Sequence, residues 1–169
     1  MKALVDDAAM AEALKASGLA GLPFVPGPAA LASPSYRALE SASVLVDAPE
    51  GPVFLKRMHP EMRDGFDLPA AMRLAAQAGE AGVGPRVIHA DAASGTIAMQ
   101  GLALGWRTAT QYSLQDALPA AMAALKVLHG TAPLTHRFDP FARIDAQMAA
   151  LAAIGALPED CLLYTSPSP

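Results

Sequence analysis

The order of strand-like and helix-like segments is the feature that most constrains the fold of this chain. Strand-like segments, rich in β-branched and apolar residues and bounded by turn residues, occur only in its middle part. They span Ser43–Asp47, Val53–Met58, Arg86–Ala90 and Thr96–Met99. Segments with helical spacing of apolar residues precede these strands, separate the two pairs and follow them. Because strands and helices do not alternate one by one, the order predicts a small antiparallel sheet that carries one helix and is joined to a helical region.

Capping residues and turn residues set the boundaries of these elements. Gly18 is suited to end the first helix, and Asp67 is suited to cap the start of the second. Proline and glycine make residues 19–35 a connecting segment and make residues 48–52 a five-residue hairpin turn. The predicted helices span residues 3–17, 67–81, 114–128 and 141–157.

Composition excludes several classes of protein. The chain has 169 residues, 53% of them apolar and 17% charged, so it is long and apolar enough to form a folded core. The net charge of −4 argues against a nucleic-acid-binding surface, and no run of apolar residues is long enough to span a membrane. The single cysteine, Cys161, excludes a disulfide framework and a cysteine-based zinc site. The acidic start of the chain is not a signal peptide, so we expect a cytoplasmic protein.

The last nine residues differ in composition from the rest of the chain. Residues 161–169 supply the only cysteine and a repeated Ser-Pro, whereas the preceding sequence is rich in alanine. We interpret this segment as a tail foreign to the domain, the alternative being a natural flexible terminus.

Several short strings occur in an order and spacing that carry a resemblance. Val53-Phe54-Leu55-Lys56-Arg57 is an apolar strand from which an ammonium group can reach an anionic phosphate. Gly82-Val83-Gly84-Pro85 is a tight junction between a helix and a strand. Gly95–Leu102 is a strand that runs into a loop, and Ala124–His129 ends a long helix in Leu-His. Together these strings resemble the N-terminal half of the aminoglycoside phosphotransferase and choline kinase family, which are small-molecule kinases with a protein-kinase-like fold.

The resemblance covers residues 30–160 and implies an α+β fold. That fold is a protein-kinase-like N-lobe, a small antiparallel sheet with one packed helix, followed by the first helices of a truncated helical C-lobe. The implied divisions are a helix and proline-rich connector at 1–35, the N-lobe with its hinge at 36–104, the start of the C-lobe at 105–160 and the tail at 161–169.

The resemblance also implies an ATP site and its residues. Lys56 would hold the phosphates, although Arg57 competes for this role and a strand lysine that faces solvent is the plain alternative. Met99 would lie at the gate of the adenine pocket, and the hinge backbone would bind the adenine edge. The implied hinge residues are Gln100, Gly101, Leu102 and Ala103, and the implied hydroxyls over the phosphates are those of Ser33 and Ser35. ATP and Mg²⁺ are the cofactors implied for the intact enzyme, and its partners are a nucleotide and a small-molecule substrate.

Two departures from the family pattern concern the phosphate site. The turn that covers the phosphates is usually rich in glycine, but the matching stretch Leu31–Tyr36 has none. The glutamate that normally pairs with the strand lysine falls near Ala71 or Met72, and neither can form an ion pair. Two interpretations stay open, because either an acidic residue of the preceding loop substitutes or Lys56 has no partner. The candidate substitutes are Glu61, Asp64 and Asp67.

The third departure concerns catalysis. The family's catalytic loop, His-Gly-Asp followed closely by Asn, and its later metal-binding Asp do not occur in this sequence. Phosphoryl transfer depends on metal ions and positioned carboxylates, so this chain should not turn over by itself. The first hypothesis is therefore the ATP-binding half of a phosphotransferase, truncated before its catalytic loop. The second is a non-catalytic, kinase-like pseudoenzyme or interaction domain.

Overall fold

The computed structural model describes residues 7–27, 40–102, 114–133 and 139–156. The chain forms two compact units, Met1–Leu134 and Thr135–Pro169. The first unit contains four helices and a five-stranded sheet among its described residues, and the second contains one helix. In chain order the elements are α1 (Asp7–Ala16), β1 (Phe24–Pro26), β2 (Ser41–Ala48), β3 (Gly51–Met58), α2 (Pro60–Arg63), α3 (Leu68–Glu80), β4 (Val87–Asp91), β5 (Thr96–Gln100), α4 (Leu114–His129) and α5 (Pro140–Ala153).

The sheet has the strand order β1-β2-β3-β5-β4, and every neighbouring pair is antiparallel. The four predicted strands are therefore present with boundaries shifted by at most two residues. The fifth strand, β1, lies inside residues 19–35, where the sequence predicted only a connecting segment. It has three residues, ends in Pro26 and pairs only with β2, as expected for an edge strand that tolerates proline. Strand β1 forms by pairing with β2, about 20 residues later in the chain, so no local periodicity of the sequence predicts it.

The hairpin between β2 and β3 is tighter than predicted. Ala48 pairs with Gly51, so the turn has two residues instead of five. Gly51 has a φ of 117°, a backbone conformation that side chains other than glycine rarely adopt. Pro52 was expected in the turn but belongs to β3, where its carbonyl accepts a hydrogen bond of 2.7 Å from the Gly101 amide.

One face of the sheet carries the main hydrophobic core beneath α1. The buried side chains there come from α1, from the turn after it and from three strands. They are Met10, Ala13, Leu14, Leu19, Val44, Val46, Val53, Leu55 and Ala98. Gly18 has a φ of 72° and ends this helical region, which confirms it as the predicted C-terminal cap. The sheet therefore carries a helix on this face as well as the single helix that the sequence predicted.

The predicted helix at 67–81 is α3, and it packs against the other face. Asp67 caps it, because its Oδ1 accepts a hydrogen bond of 2.8 Å from the Ala70 amide. Leu68, Ala70 and Met72 are the buried residues of this helix. Gly82 then reverses the chain with a φ of 73°, and β4 follows. The junction Gly82–Pro85 is therefore structural, as its position between a helix and a strand predicted.

A short polar segment joins β3 to α3 and braces the β4–β5 turn. It contains the four-residue helix α2, where the sequence indicated a loop. Arg63 of α2 donates to the carbonyl oxygens of Ala93 at 3.0 Å and Met58 at 3.5 Å. In the same turn, a hydrogen bond from Ser94 holds the pKa of Asp91 below its ordinary value of 3.8. These contacts fix the turn that leads into β5.

The remaining helices are α4 and α5. The first ends one residue beyond its predicted end, at His129, and the second is shorter than predicted, ending at Ala153. Asp139 caps α5 by accepting from the amides of Phe141 and Ala142 at 3.0 and 3.1 Å. None of the helices in the described ranges is both long and apolar enough to cross a bilayer. The tail at residues 161–169 lies outside the described residues.

Candidate functional site

The alternation of side chains along β3 separates its two basic residues. Arg57 points into the α1 face, where it is only 8% exposed. Its guanidinium lies 3.4 Å from the Glu12 carboxylate and 3.4 Å from the Thr96 hydroxyl. Lys56 is on the opposite face, because successive residues of a strand point to opposite sides. Arg57 is thus a structural residue, and of the two only Lys56 faces the side on which α3 packs.

Lys56 borders a small cavity between the sheet and α3. The cavity has a volume of 150 Å³, and its other lining residues come from β3, α3 and the start of β5. They are Met58, Leu68, Ala71, Met72, Gly95 and Ile97. Ala71 and Met72 are the two positions at which the family resemblance places the glutamate that pairs with the strand lysine. Among the described residues, Lys56 has no hydrogen bond or ion pair.

None of the acidic residues that could have substituted for this glutamate lines the cavity beside Lys56. Glu61 and Asp64 are exposed, and neither lines the cavity beside Lys56. Asp67 uses a carboxylate oxygen to cap α3. Of the two interpretations left open by the sequence, the described residues favour a lysine without an ion-pair partner.

An apolar row lies next to Lys56 on the same sheet face. The register of the five strands aligns one residue from each strand across the sheet. These residues are Val25, Leu45, Phe54, Met99 and Val87. All except the exposed Val25 are half-buried, and none lines the cavity under α3. The helix therefore covers the Lys56 end of this face and leaves the apolar row open.

Sequence reasoning identified Met99 in this row but missed Leu45 and Phe54. Phe54 precedes Lys56 by two residues, so strand alternation alone places both on one face. Leu45 follows from pairing, since Ser43 pairs with Lys56 and Leu45 pairs with Phe54. The position of Phe54 beside Lys56 was therefore predictable from the sequence. The position of Leu45 depends on the register of the β2–β3 hairpin.

The chain leaves the sheet at the far end of this face. The amide of Gln100 donates to the Arg86 carbonyl at 2.8 Å, and that of Gly101 donates to Pro52 at 2.7 Å. A Cβ at Gly101 would lie 2.8 Å from the Pro52 carbonyl oxygen, so this close approach requires glycine. Leu102 follows and is 54% exposed, and its amide donates to no described residue. Of the described hinge candidates, Leu102 alone has a backbone donor not used by the sheet.

Three of the predicted site residues lie outside the described residues. These are Ser33, Ser35 and Ala103. The segment that contains both serines joins β1 to β2, and it leaves β1 where the Gly27 amide donates to the Ser43 carbonyl at 2.9 Å. Ser43 pairs with Lys56, so Gly27 lies at the level of Lys56 in the sheet, with only strand β2 between them.

A solved structure shares this arrangement of sheet and helices. It is the crystal structure of a choline/ethanolamine kinase family protein from Mesorhizobium loti, which is 24% identical to this chain with a TM-score of 0.61. The match covers 94% of this chain and 49% of that one. The fold is kinase-like. It comprises a small N-lobe and part of a C-lobe, as the resemblance implied, and the chain spans about half the length of that structure.

The sequence comparisons give no closer assignment. No protein-family model matches the chain, and no curated protein sequence matches it. The solved structure therefore shows the fold, and the function has to be inferred from the side chains around Lys56.

Proposed function

We propose that this chain is the ATP-binding half of a small-molecule phosphotransferase, an enzyme that transfers a phosphoryl group from ATP to a substrate hydroxyl. The proposal is supported by the sheet face on which Lys56 adjoins the apolar row of Leu45, Phe54 and Met99, a row that α3 does not cover. A flat aromatic base needs an apolar surface, and a polyphosphate needs a cation. This face offers the two side by side.

The spacing along the sheet suits a nucleotide in an extended conformation. Ile97 pairs with Lys56, and Gly101 follows four residues later along the chain. At about 3.4 Å per residue, the two ends of this face are about 14 Å apart. We assign the base to the apolar row beside Leu102 and the phosphates to Lys56. Ser33 and Ser35 would add hydroxyls over the phosphates, and the backbone of Gln100–Ala103 would border the base.

The acceptor substrate is proposed only as a class. The similar solved structure is a choline/ethanolamine kinase family protein by name, which supports a small molecule bearing a hydroxyl group as the acceptor. The net charge of −4 and the single cysteine are in keeping with a cytoplasmic enzyme. We assign the hinge and N-lobe to residues 36–104 and the start of the C-lobe to residues 105–160.

Catalysis needs groups that this chain does not carry. Its sequence has no His-Gly-Asp loop with a following Asn, so it lacks the family's base and magnesium ligands. Phosphoryl transfer relies on such groups to neutralise the developing charge. We therefore expect the chain to bind nucleotide but not to turn over, with activity appearing only when those residues are supplied.

A second candidate function is that of a kinase-like pseudoenzyme. It is favoured by Ala71, which lies beside Lys56 at the position where an active kinase would carry an acid. The coding sequence after Asp160 distinguishes the candidates. An in-frame His-Gly-Asp-x-x-x-x-Asn with a later Asp supports the phosphotransferase, and a natural stop codon there supports the pseudoenzyme.

The binding proposal is tested by titrating the chain with an ATP analogue. Lys56→Ala should weaken binding about tenfold, because it removes a charge-assisted contact to phosphate. Lys15→Ala is the matched control, since Lys15 is an exposed lysine on α1. Equal affinities for the wild type and Lys56→Ala, with both folded by circular dichroism, would contradict the proposed site.

A further inference from the structure

The residues around Lys56 do not suit a magnesium ion. Magnesium in nucleotide sites is held by carboxylates together with phosphate oxygens. The cavity beside Lys56 is lined by apolar side chains and a glycine, with no carboxylate among its residues. In the described ranges, no three His, Cys, Asp or Glu side chains come close enough together to hold a metal.

Among the strand residues of this sheet face, the Asp47 carboxylate is also distant from Lys56. Asp47 shares the face with Leu45, but it lies four residues beyond Ser43, the partner of Lys56. At about 3.4 Å per residue that separation is about 14 Å, so Asp47 lies at the end of the face that we assign to the base.

Two segments outside the described residues, each continuing from a strand of this sheet, contain no acidic residue. Residues 28–39, between β1 and β2, contain Arg37 but no Asp or Glu. Residues 103–113, which follow Leu102, contain Arg107 but no Asp or Glu. The charged side chain in each of these two segments is therefore basic.

We infer that the nucleotide site of this chain is metal-independent and recognises the uncomplexed, fully charged polyphosphate of an adenine nucleotide through Lys56. The inference rests on the proposed function and deepens it. A single cation without an ion-pair partner among the described residues is attracted by the full negative charge of free ATP or ADP. Magnesium neutralises part of that charge, and the described residues that line the cavity beside Lys56 offer it no carboxylate ligand.

The inference predicts a selectivity opposite to that of a site with metal ligands. Free ATP and free ADP should bind with similar affinity, because one cation contacts only part of the polyphosphate. Adenosine should bind about tenfold more weakly, since it lacks the charged group that Lys56 contacts. Lys56→Ala should remove most of the difference between ADP and adenosine, and Lys15→Ala should preserve it.

The experiment is isothermal titration calorimetry of the whole chain with ATP, ADP and adenosine, once in EDTA and once in excess MgCl₂. We expect the Kd for ATP in MgCl₂ to equal or exceed that in EDTA. A Kd that falls by more than about twofold on adding Mg²⁺ would overturn the inference while leaving the proposed ATP site intact. If no nucleotide binds in either buffer to folded protein, the proposed function itself fails, and the inference fails with it.

Discussion

At the residue scale, adjacent basic residues of one strand have unrelated environments. Arg57 is buried beneath α1 and contacts Glu12 and Thr96, whereas Lys56 is half-buried on the opposite face without a described partner. A buried guanidinium that loses its hydrogen bonds costs stability, whereas a lysine with no partner contributes little to it. The same strand therefore supplies one residue to the fold and one to the proposed ligand site.

This division predicts opposite phenotypes for two neighbouring substitutions. Arg57→Ala should lower the free energy of unfolding by about 2 kcal/mol, because it removes buried contacts to Thr96 and packing against α1. Lys56→Ala should change that free energy by less than about 0.5 kcal/mol while weakening nucleotide binding. Urea unfolding and ligand titration of both variants measure the two effects. A Lys56→Ala variant as unstable as Arg57→Ala would show that Lys56 is structural.

At the element scale, α3 determines how much of the sheet face stays open. Its buried residues Leu68 and Met72 lie over the Lys56 end, and the helix does not extend over the apolar row with Phe54. The helix begins at Leu68 because the Asp67 carboxylate accepts from the Ala70 amide. Pro69, in its first turn, needs no amide hydrogen there. The extent of α3 thus sets one boundary of the candidate site.

The cap of α3 gives a prediction at this scale. Asp67→Ala should destabilise the protein by about 1 kcal/mol, because the first turn of the helix loses its side-chain acceptor. Asp64→Ala is a suitable control, since Asp64 is exposed and precedes the cap by three residues. Thermal unfolding followed by circular dichroism compares the two variants. A larger loss for Asp64→Ala than for Asp67→Ala would contradict the assigned cap.

At the scale of the whole molecule, an apolar stripe on α4 is left uncovered. Leu118, Met122 and Leu125 follow one another at helical spacing and are 43–50% exposed. Contiguous exposed apolar surface of this kind promotes association between molecules. The chain spans about half the length of the similar kinase-family structure.

The stripe predicts concentration-dependent self-association that one substitution should reduce. Met122→Lys places a charge in the centre of the stripe, and light scattering coupled to size-exclusion chromatography should show a lower apparent mass at high protein concentration. Ala120→Lys adds the same charge on another exposed side of α4 and should have little effect. If Ala120→Lys reduced association as strongly as Met122→Lys, net charge rather than the stripe would be responsible.

The sequence by itself determined the local elements of this protein. The cap at Asp67, the stop at Gly18 and the alternation that separates Lys56 from Arg57 are short-range effects, so the helices, four strands and the candidate lysine were predictable. Only the tertiary structure decided features that depend on pairing between distant residues. Strand β1 exists because β2 pairs with it, and Leu45 joins Phe54 and Met99 through strand register. The sequence also left open whether Lys56 has an acidic partner, because side chains distant in sequence meet only when α3 packs against the sheet.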